Sequence, residues 1–157
     1  MSTHTRPKPA GTPTWVELTT PDVEAARAFY RALFGWSYAI SDEYGGYTNA
    51  TVGARRAAGL AGPMPGAPPA PAAWSLYFAS DDIEADVARA VELGAKVRVA
   101  PMALEPHGSM AICEDPTGAA FGFWQAGEHI GSQVNDEPGA AAWYELYSPN
   151  VARARDF

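Results

Sequence analysis

Glu17 and His107 are the two side chains best placed by type and neighbourhood to move a proton near neutral pH. Glu17 sits in the run Trp15-Val16-Glu17-Leu18-Thr19, where alternation puts Trp15, Glu17 and Thr19 on one face of a strand and Val16 and Leu18 on the other. A carboxylate on a largely apolar wall has its pKa raised and can act as a base or grip a donor on a ligand. The competing reading is a structural partner for a backbone or indole N–H. His107, in the loop Leu104-Glu105-Pro106-His107-Gly108, is the histidine placed to act as a general acid or base. Trp15, Tyr47, Asn49, Trp74, Tyr77 and Trp124 supply the flat apolar surface and polar handles that suit a planar ligand. Core packing accounts for some of these aromatics equally well. Cys113 alternates with Ala111 and is expected toward the same concave face as a small, inert side chain. The Asp81-Asp82 pair reads as a helix start.

The elements that must position these groups follow from periodicity. After Trp15–Thr19, Asp22 caps a helix whose apolar stripe is Val23, Ala26, Phe29, Tyr30 and Leu33, and Gly35 ends it in a left-handed stop. Strands are expected at Trp36 to Asp42, around Tyr47 to Thr51 after the Gly45-Gly46 turn, and at Arg55 to Ala61. Residues 62–71, GPMPGAPPAP, hold five prolines and two glycines and form a linker. The order then repeats: a strand at Ala73 to Ala79, a helix at Ile83 to Leu93 capped by Asp82, with Ile83, Val87, Ala90 and Val91 as its stripe, and strands near 96–100, 109–114 and 119–125. The last two are joined by the turn Asp115-Pro116-Thr117-Gly118. The fold class expected is α+β: paired βαβββ modules, 13–62 and 73–125, forming one curved, eight-stranded open sheet, a cup with its helices outside.

A longer period is present as well. Residues 11–29 and 139–157 share nine identities in nineteen positions, among them Trp15/Trp143, Glu17/Glu145 and Phe29/Phe157. This predicts a loose tail over 1–12, a linker over 126–138 and, from 139, the start of a second domain of the same kind, cut short. An unpaired strand from Ala141 to Tyr147 would then favour a homodimer or packing against that second domain.

The opening unit WVELTTPDVEAARAFYRALFGW, the Asp-Pro-Thr-Gly turn and the two repeats resemble the vicinal-oxygen-chelate superfamily, the glyoxalase, bleomycin-resistance and extradiol-dioxygenase group. More narrowly, the opening unit resembles tandem-domain glyoxalase-like proteins often labelled hydroxylases. The resemblance implies a paired βαβββ cup for a small molecule. In metal-using members the ligands lie at the start of each module's first strand and within its last. Those positions match Trp15, Ser75 or Trp74, Gly122, and the neighbourhood of Ala57 and Ala58, none of which is an ordinary metal ligand.

Composition narrows the partners. Eighteen acidic against eleven basic side chains give a net charge of -7, which disfavours nucleic acid and anionic membranes. A single cysteine and no signal-like apolar run fit a cytoplasmic protein. The function expected is metal-independent binding of a planar apolar metabolite or antibiotic, with no cofactor, by sequestration or cofactor-free chemistry. Two alternatives stand beside it: a metal-dependent lyase or oxygenase, and a regulatory or structural interaction module.

Overall fold

The computed structural model describes residues 3–157, which form eight strands and three helices in an α+β arrangement. The first two residues of the expected tail lie outside the described residues. The chain divides into two compact units, one of residues 3–5, 15–75 and 132–142, the other of residues 6–14, 76–131 and 143–157.

The first unit is built on β1 (Pro13–Thr19), α1 (Val23–Phe34), β2 (Ser37–Ser41), β3 (Tyr47–Val52) and β4 (Arg55–Ala61). The helix starts where the Asp22 carboxylate accepts the Ala25 N–H at 2.9 Å, and it stops at Gly35, whose φ of 70° is left-handed. The strands run in the order β2-β3-β4-β1. Because β4 lies parallel to β1 with Glu17 opposite Gly59, and antiparallel to β3 with Asn49 opposite Gly59, one row carries Glu17, Gly59 and Asn49 on a common face. The other face is the core: Leu18, Ala50, Ala58, Leu60 and Trp36, with Val16, Val23, Ala26 and Tyr30 packed on it. The expected helical stripe is narrower than its spacing suggests, since Phe29 and Leu33 are 59% and 57% exposed.

The pairing of β3 with β4 slips once. Ala50 faces Ala58 but Thr51 faces Arg56, so Ala57 is the extra residue of a bulge in β4. Simple alternation from Gly59 would turn Arg55 toward the face of Glu17. The bulge instead pairs Arg55 with Val52, a core-side residue, and brings Arg56 onto the face that Thr51, Asn49 and Gly59 share. Arg55 makes a two-pronged ion pair with Glu137, at 3.0 and 2.8 Å. The segment around Glu137 lies against the unit, with Gly139 O accepting the Trp36 indole N–H at 2.6 Å.

The second unit repeats the plan with β5 (Ala73–Ser80), α2 (Ile83–Glu92), β6 (Lys96–Leu104), β7 (Gly108–Glu114) and β8 (Ala120–Ala126), in the order β5-β8-β7-β6. Asp82 caps α2 through Ala85 N, which confirms the helix-start reading of the Asp81-Asp82 pair. Val91 is 47% exposed and leaves Ile83, Val87 and Ala90 as the buried stripe. Ala111 and Cys113 belong to the core beneath α2 with Phe121 and Phe123. Cys113 is therefore turned to the helix side, opposite to the orientation expected: it pairs across the ladder with Phe121, whose ring already faces α2. The strand β6 runs four residues beyond its expected end, to Leu104, with two slips in its pairing to β7.

Residues 3–12 are tied down rather than loose. Thr3 bridges to Val134 and His4 N–H donates to Gln133 O in the first unit, and Gly11 and Thr12 exchange backbone bonds with Ala79 in the second. At the other end, α3 (Val151–Asp156) is capped by Asn150 as α1 is by Asp22, and Phe157 stacks edge-on against Phe121. The stretch expected as a strand from Ala141 to Tyr147 has no strand pairing among the described residues. Trp143 and Tyr147 are 80% and 87% exposed.

Candidate functional site

Trp15, Glu17 and Tyr47 meet on the face of the first unit away from α1. The Trp15 indole N–H donates to the Tyr47 hydroxyl at 3.0 Å, and that hydroxyl donates to Glu17 Oε2 at 2.8 Å. Period-2 alternation delivers Trp15 and Glu17 from β1, and Tyr47 and Asn49 from β3. The strand between them, β4, contributes Gly59. A Cβ built there would lie 2.2 Å from the Tyr47 hydroxyl and 3.0 Å from the Trp15 nitrogen. Absence of a side chain at Gly59 is what lets the Tyr47 ring cross β4 to reach Glu17.

The directions of these bonds matter chemically. A hydroxyl that accepts from an indole N–H is a stronger donor, because hydrogen bonds in a chain polarise one another. Glu17 thus receives a charge-assisted bond on one oxygen and is held in one orientation. Glu17, Tyr47, Asn49 and Arg56 are all half-buried, whereas Trp15 is 3% exposed. The arrangement presents a fixed acceptor beside flat aromatic surface.

Arg56 extends this face and was not among the residues the sequence pointed to. Its backbone is clamped by Gln133, whose N–H donates to Arg56 O at 2.8 Å and whose side-chain oxygen accepts Arg56 N–H at 3.0 Å. Its Nε is buried and has no hydrogen-bond partner among the described residues. Burial pulls the guanidinium pKa below its ordinary value, and no acidic neighbour among the described residues offsets that effect. A buried donor left unpaired costs on the order of 1–3 kcal/mol.

Trp74 is not part of this face. Its indole N–H donates to the Tyr30 hydroxyl at 3.1 Å, and its ring meets Tyr30 and Trp36 edge-on, on the α1 side. Trp74 and Tyr77 are three residues apart on one strand, so alternation cannot turn both the same way.

Tyr77, Trp124 and His107 lie in the second unit and are described there. Tyr77 packs on Gly122, where a Cβ would come within 2.2 Å of its ring, and is 3% exposed. Trp124 is 8% exposed and donates its indole N–H to His129 O at 2.7 Å. Met110 and Ile112, paired with Trp124 and Gly122, share that face. The His107 carbonyl accepts from both Gly127 and His129, which fixes its loop to the segment after β8. His129, which the sequence did not distinguish, is buried, and its Nδ1 accepts the Gly131 N–H at 3.2 Å. That bond requires an Nδ1 without a proton. The two groups expected to move protons, Glu17 and His107, thus belong to different units.

The donor set on the Glu17 face does not fit a divalent ion. An indole and a phenol already hydrogen-bonded to one another, and a glycine, lie beside the Glu17 carboxylate, and a hard or borderline cation needs three or more oxygen or nitrogen ligands. Among the described residues no three His, Cys, Asp or Glu side chains gather as a metal-holding group.

Comparison with known proteins agrees with the fold. Residues 12–123 match the Glyoxalase/Bleomycin resistance protein/Dioxygenase superfamily. A Mycobacterium tuberculosis protein named "Putative glyoxylase CFP32" is 41% identical over 150 residues, covering 92% of this chain and 58% of the relative. A Streptomyces peucetius protein named "Anthracycline biosynthesis protein DnrV" is 36% identical over 161 residues, covering 94% of this chain and 58% of the relative. The chain therefore spans little more than half the length of these relatives. Among solved structures, the Mn(II)-bound glyoxalase from Novosphingobium aromaticivorans superposes with a TM-score of 0.55 at 16% identity, over 87% of this chain and 42% of that one, a likeness of fold alone.

Proposed function

The chain belongs to the glyoxalase/bleomycin resistance/dioxygenase superfamily, and on that premise we propose that its first unit binds a planar, largely apolar small molecule through Trp15, Tyr47, Asn49 and Glu17 without a metal. The observation that carries this reading is the Trp15-to-Tyr47-to-Glu17 chain of hydrogen bonds laid over Gly59. It holds one carboxylate at a fixed place beside an aromatic wall, where a hydroxyl or enol of a flat ligand would be gripped. The name of the Streptomyces relative adds support for the ligand class, because anthracyclines are planar polycyclic aromatics bearing phenol groups.

Glu17 accepts the ligand's O–H, and the polarised Tyr47 hydroxyl keeps the carboxylate from turning away. The same geometry serves sequestration or removal of an acidic proton by Glu17, since both begin with that hydrogen bond. In the second unit, taken by itself, Tyr77 and Trp124 are proposed as contacts for a small molecule and His107 as a proton carrier.

The test is titration of tryptophan fluorescence with an anthracycline aglycone. Saturable quenching in the micromolar range is expected, weakened about tenfold in Glu17→Gln, the loss of one charged hydrogen bond. Absence of saturation up to the solubility limit, in a protein shown to be folded, overturns the proposal.

A further inference from the structure

We infer that Arg56 makes this face a site for a planar ligand carrying an anionic group, a carboxylate or ionised phenol, at the end opposite the one Glu17 grips. The inference rests on the small-molecule reading above and names its substrate class.

Three observations lead to it. The Ala57 bulge moves Arg56, rather than Arg55, onto the face of Glu17 and Asn49. Its Nε is buried without a partner among the described residues, whereas the neighbouring Arg55 is fully engaged by Glu137. Among the described residues no acidic side chain forms an ion pair with Arg56, in a chain where acids outnumber bases eighteen to eleven. Buried polar groups are nearly always satisfied, and an exception at a half-buried arginine beside a candidate site points to a ligand that completes it.

Spacing sets the ligand's size. Arg56 stands opposite Thr51, and Glu17 shares a row with Gly59 and Asn49. Thr51 is two residues beyond Asn49, so the rows are roughly 7 Å apart along the strand. A flat ligand of two or more fused rings covers that span with a neutral O–H toward Glu17 and its charge at Arg56. The guanidinium fork suits a carboxylate, and separation of the two sites keeps that charge away from Glu17.

The experiment compares two probes of one shape, a dihydroxyanthraquinone carboxylate and its neutral hydroxymethyl analogue, by fluorescence titration at low and high salt. The wild-type protein is expected to bind the acid about tenfold more tightly than the analogue, a preference that shrinks with salt. Arg56→Gln is expected to abolish the preference by weakening the acid alone, and Arg56→Lys to retain part of it, with circular dichroism confirming that both are folded. Equal binding of the two probes to wild type, or a preference that survives in Arg56→Gln, overturns the role of Arg56 and leaves the planar-ligand site standing. Failure of both probes to bind a folded wild type overturns the two readings together.

Discussion

The Tyr47 hydroxyl lies 3.0 Å from the Trp15 indole nitrogen and 2.8 Å from Glu17 Oε2, so a single oxygen is acceptor to one and donor to the other. Removing it in Tyr47→Phe strips both partners. Trp15 is 3% exposed, so its N–H is left buried without that acceptor, at a cost of about 1–3 kcal/mol in urea unfolding. Gly59→Ala is expected to cost a similar amount by pushing the hydroxyl out of place. The two effects should be less than additive in the double variant, because the shortened ring presents no hydroxyl to the new methyl group. Full additivity would show that Gly59 is not there for Tyr47.

Asp115 gives the fold a measurable response to acid. Burial alone would raise its pKa, but the N–H groups of Ala119 and Thr117 and the Thr117 hydroxyl all donate to its carboxylate, and the net pKa falls below the ordinary value. A carboxyl whose folded pKa is lowered adds stability above its unfolded pKa, near 4, and loses that stability as pH falls through the folded value. Wild type should therefore exceed Asp115→Asn in unfolding midpoint at pH 7 by more than it does near pH 2. An equal difference at both would remove the charge from the account.

Cys113 is fully buried and its thiol pKa is pushed up by burial, so little thiolate exists at neutral pH. Alkylation of the native protein should be slow, at the rate at which the second unit opens, and should become fast in denaturant. Rapid labelling of the folded protein would place the thiol at a surface.

Metal content separates the binding reading from its nearest rival. After dialysis against zinc, nickel, iron and manganese, the purified protein is expected to retain far less than one ion per chain, because among the described residues no three His, Cys, Asp or Glu side chains gather and the Tyr47 hydroxyl beside Glu17 is already donating to it. Near-stoichiometric retention, lost in Glu17→Ala, would reverse that conclusion.

Local chemistry made much of this legible in the sequence. Asp22 and Gly35 announce the ends of α1, and the bounds of β4 follow from the turns on either side. Alternation alone brings Trp15 and Glu17 to one face. What alternation cannot show is a register slip, and the site depends on one: nothing in Arg55-Arg56-Ala57-Ala58 reveals which residue is extra. His129 escaped notice because its role comes from contacts with Trp124 and Gly131 that only the folded chain creates. Sequence spacing also overstated the buried side of α1, since Phe29 and Leu33 recur at the right interval yet remain exposed. The same limit holds for the repeat, where Trp143-Tyr144-Glu145-Leu146 copies much of the β1 pattern but forms no strand: β1 has β4 beside it, and a strand is a property of a pair.

With Arg56 as the proposed anion contact, the bulge at Ala57 means that the choice of ligand would be written partly in residue count. Adding one residue to β3 between Ala50 and Thr51 would give Ala57 a partner, restore simple alternation along β4, swing Arg55 toward the face of Glu17 and turn Arg56 to the core side without any substitution in β4. Two adjacent arginines, one tied to Glu137 and one unpaired at Nε among the described residues, would exchange surroundings in a single step.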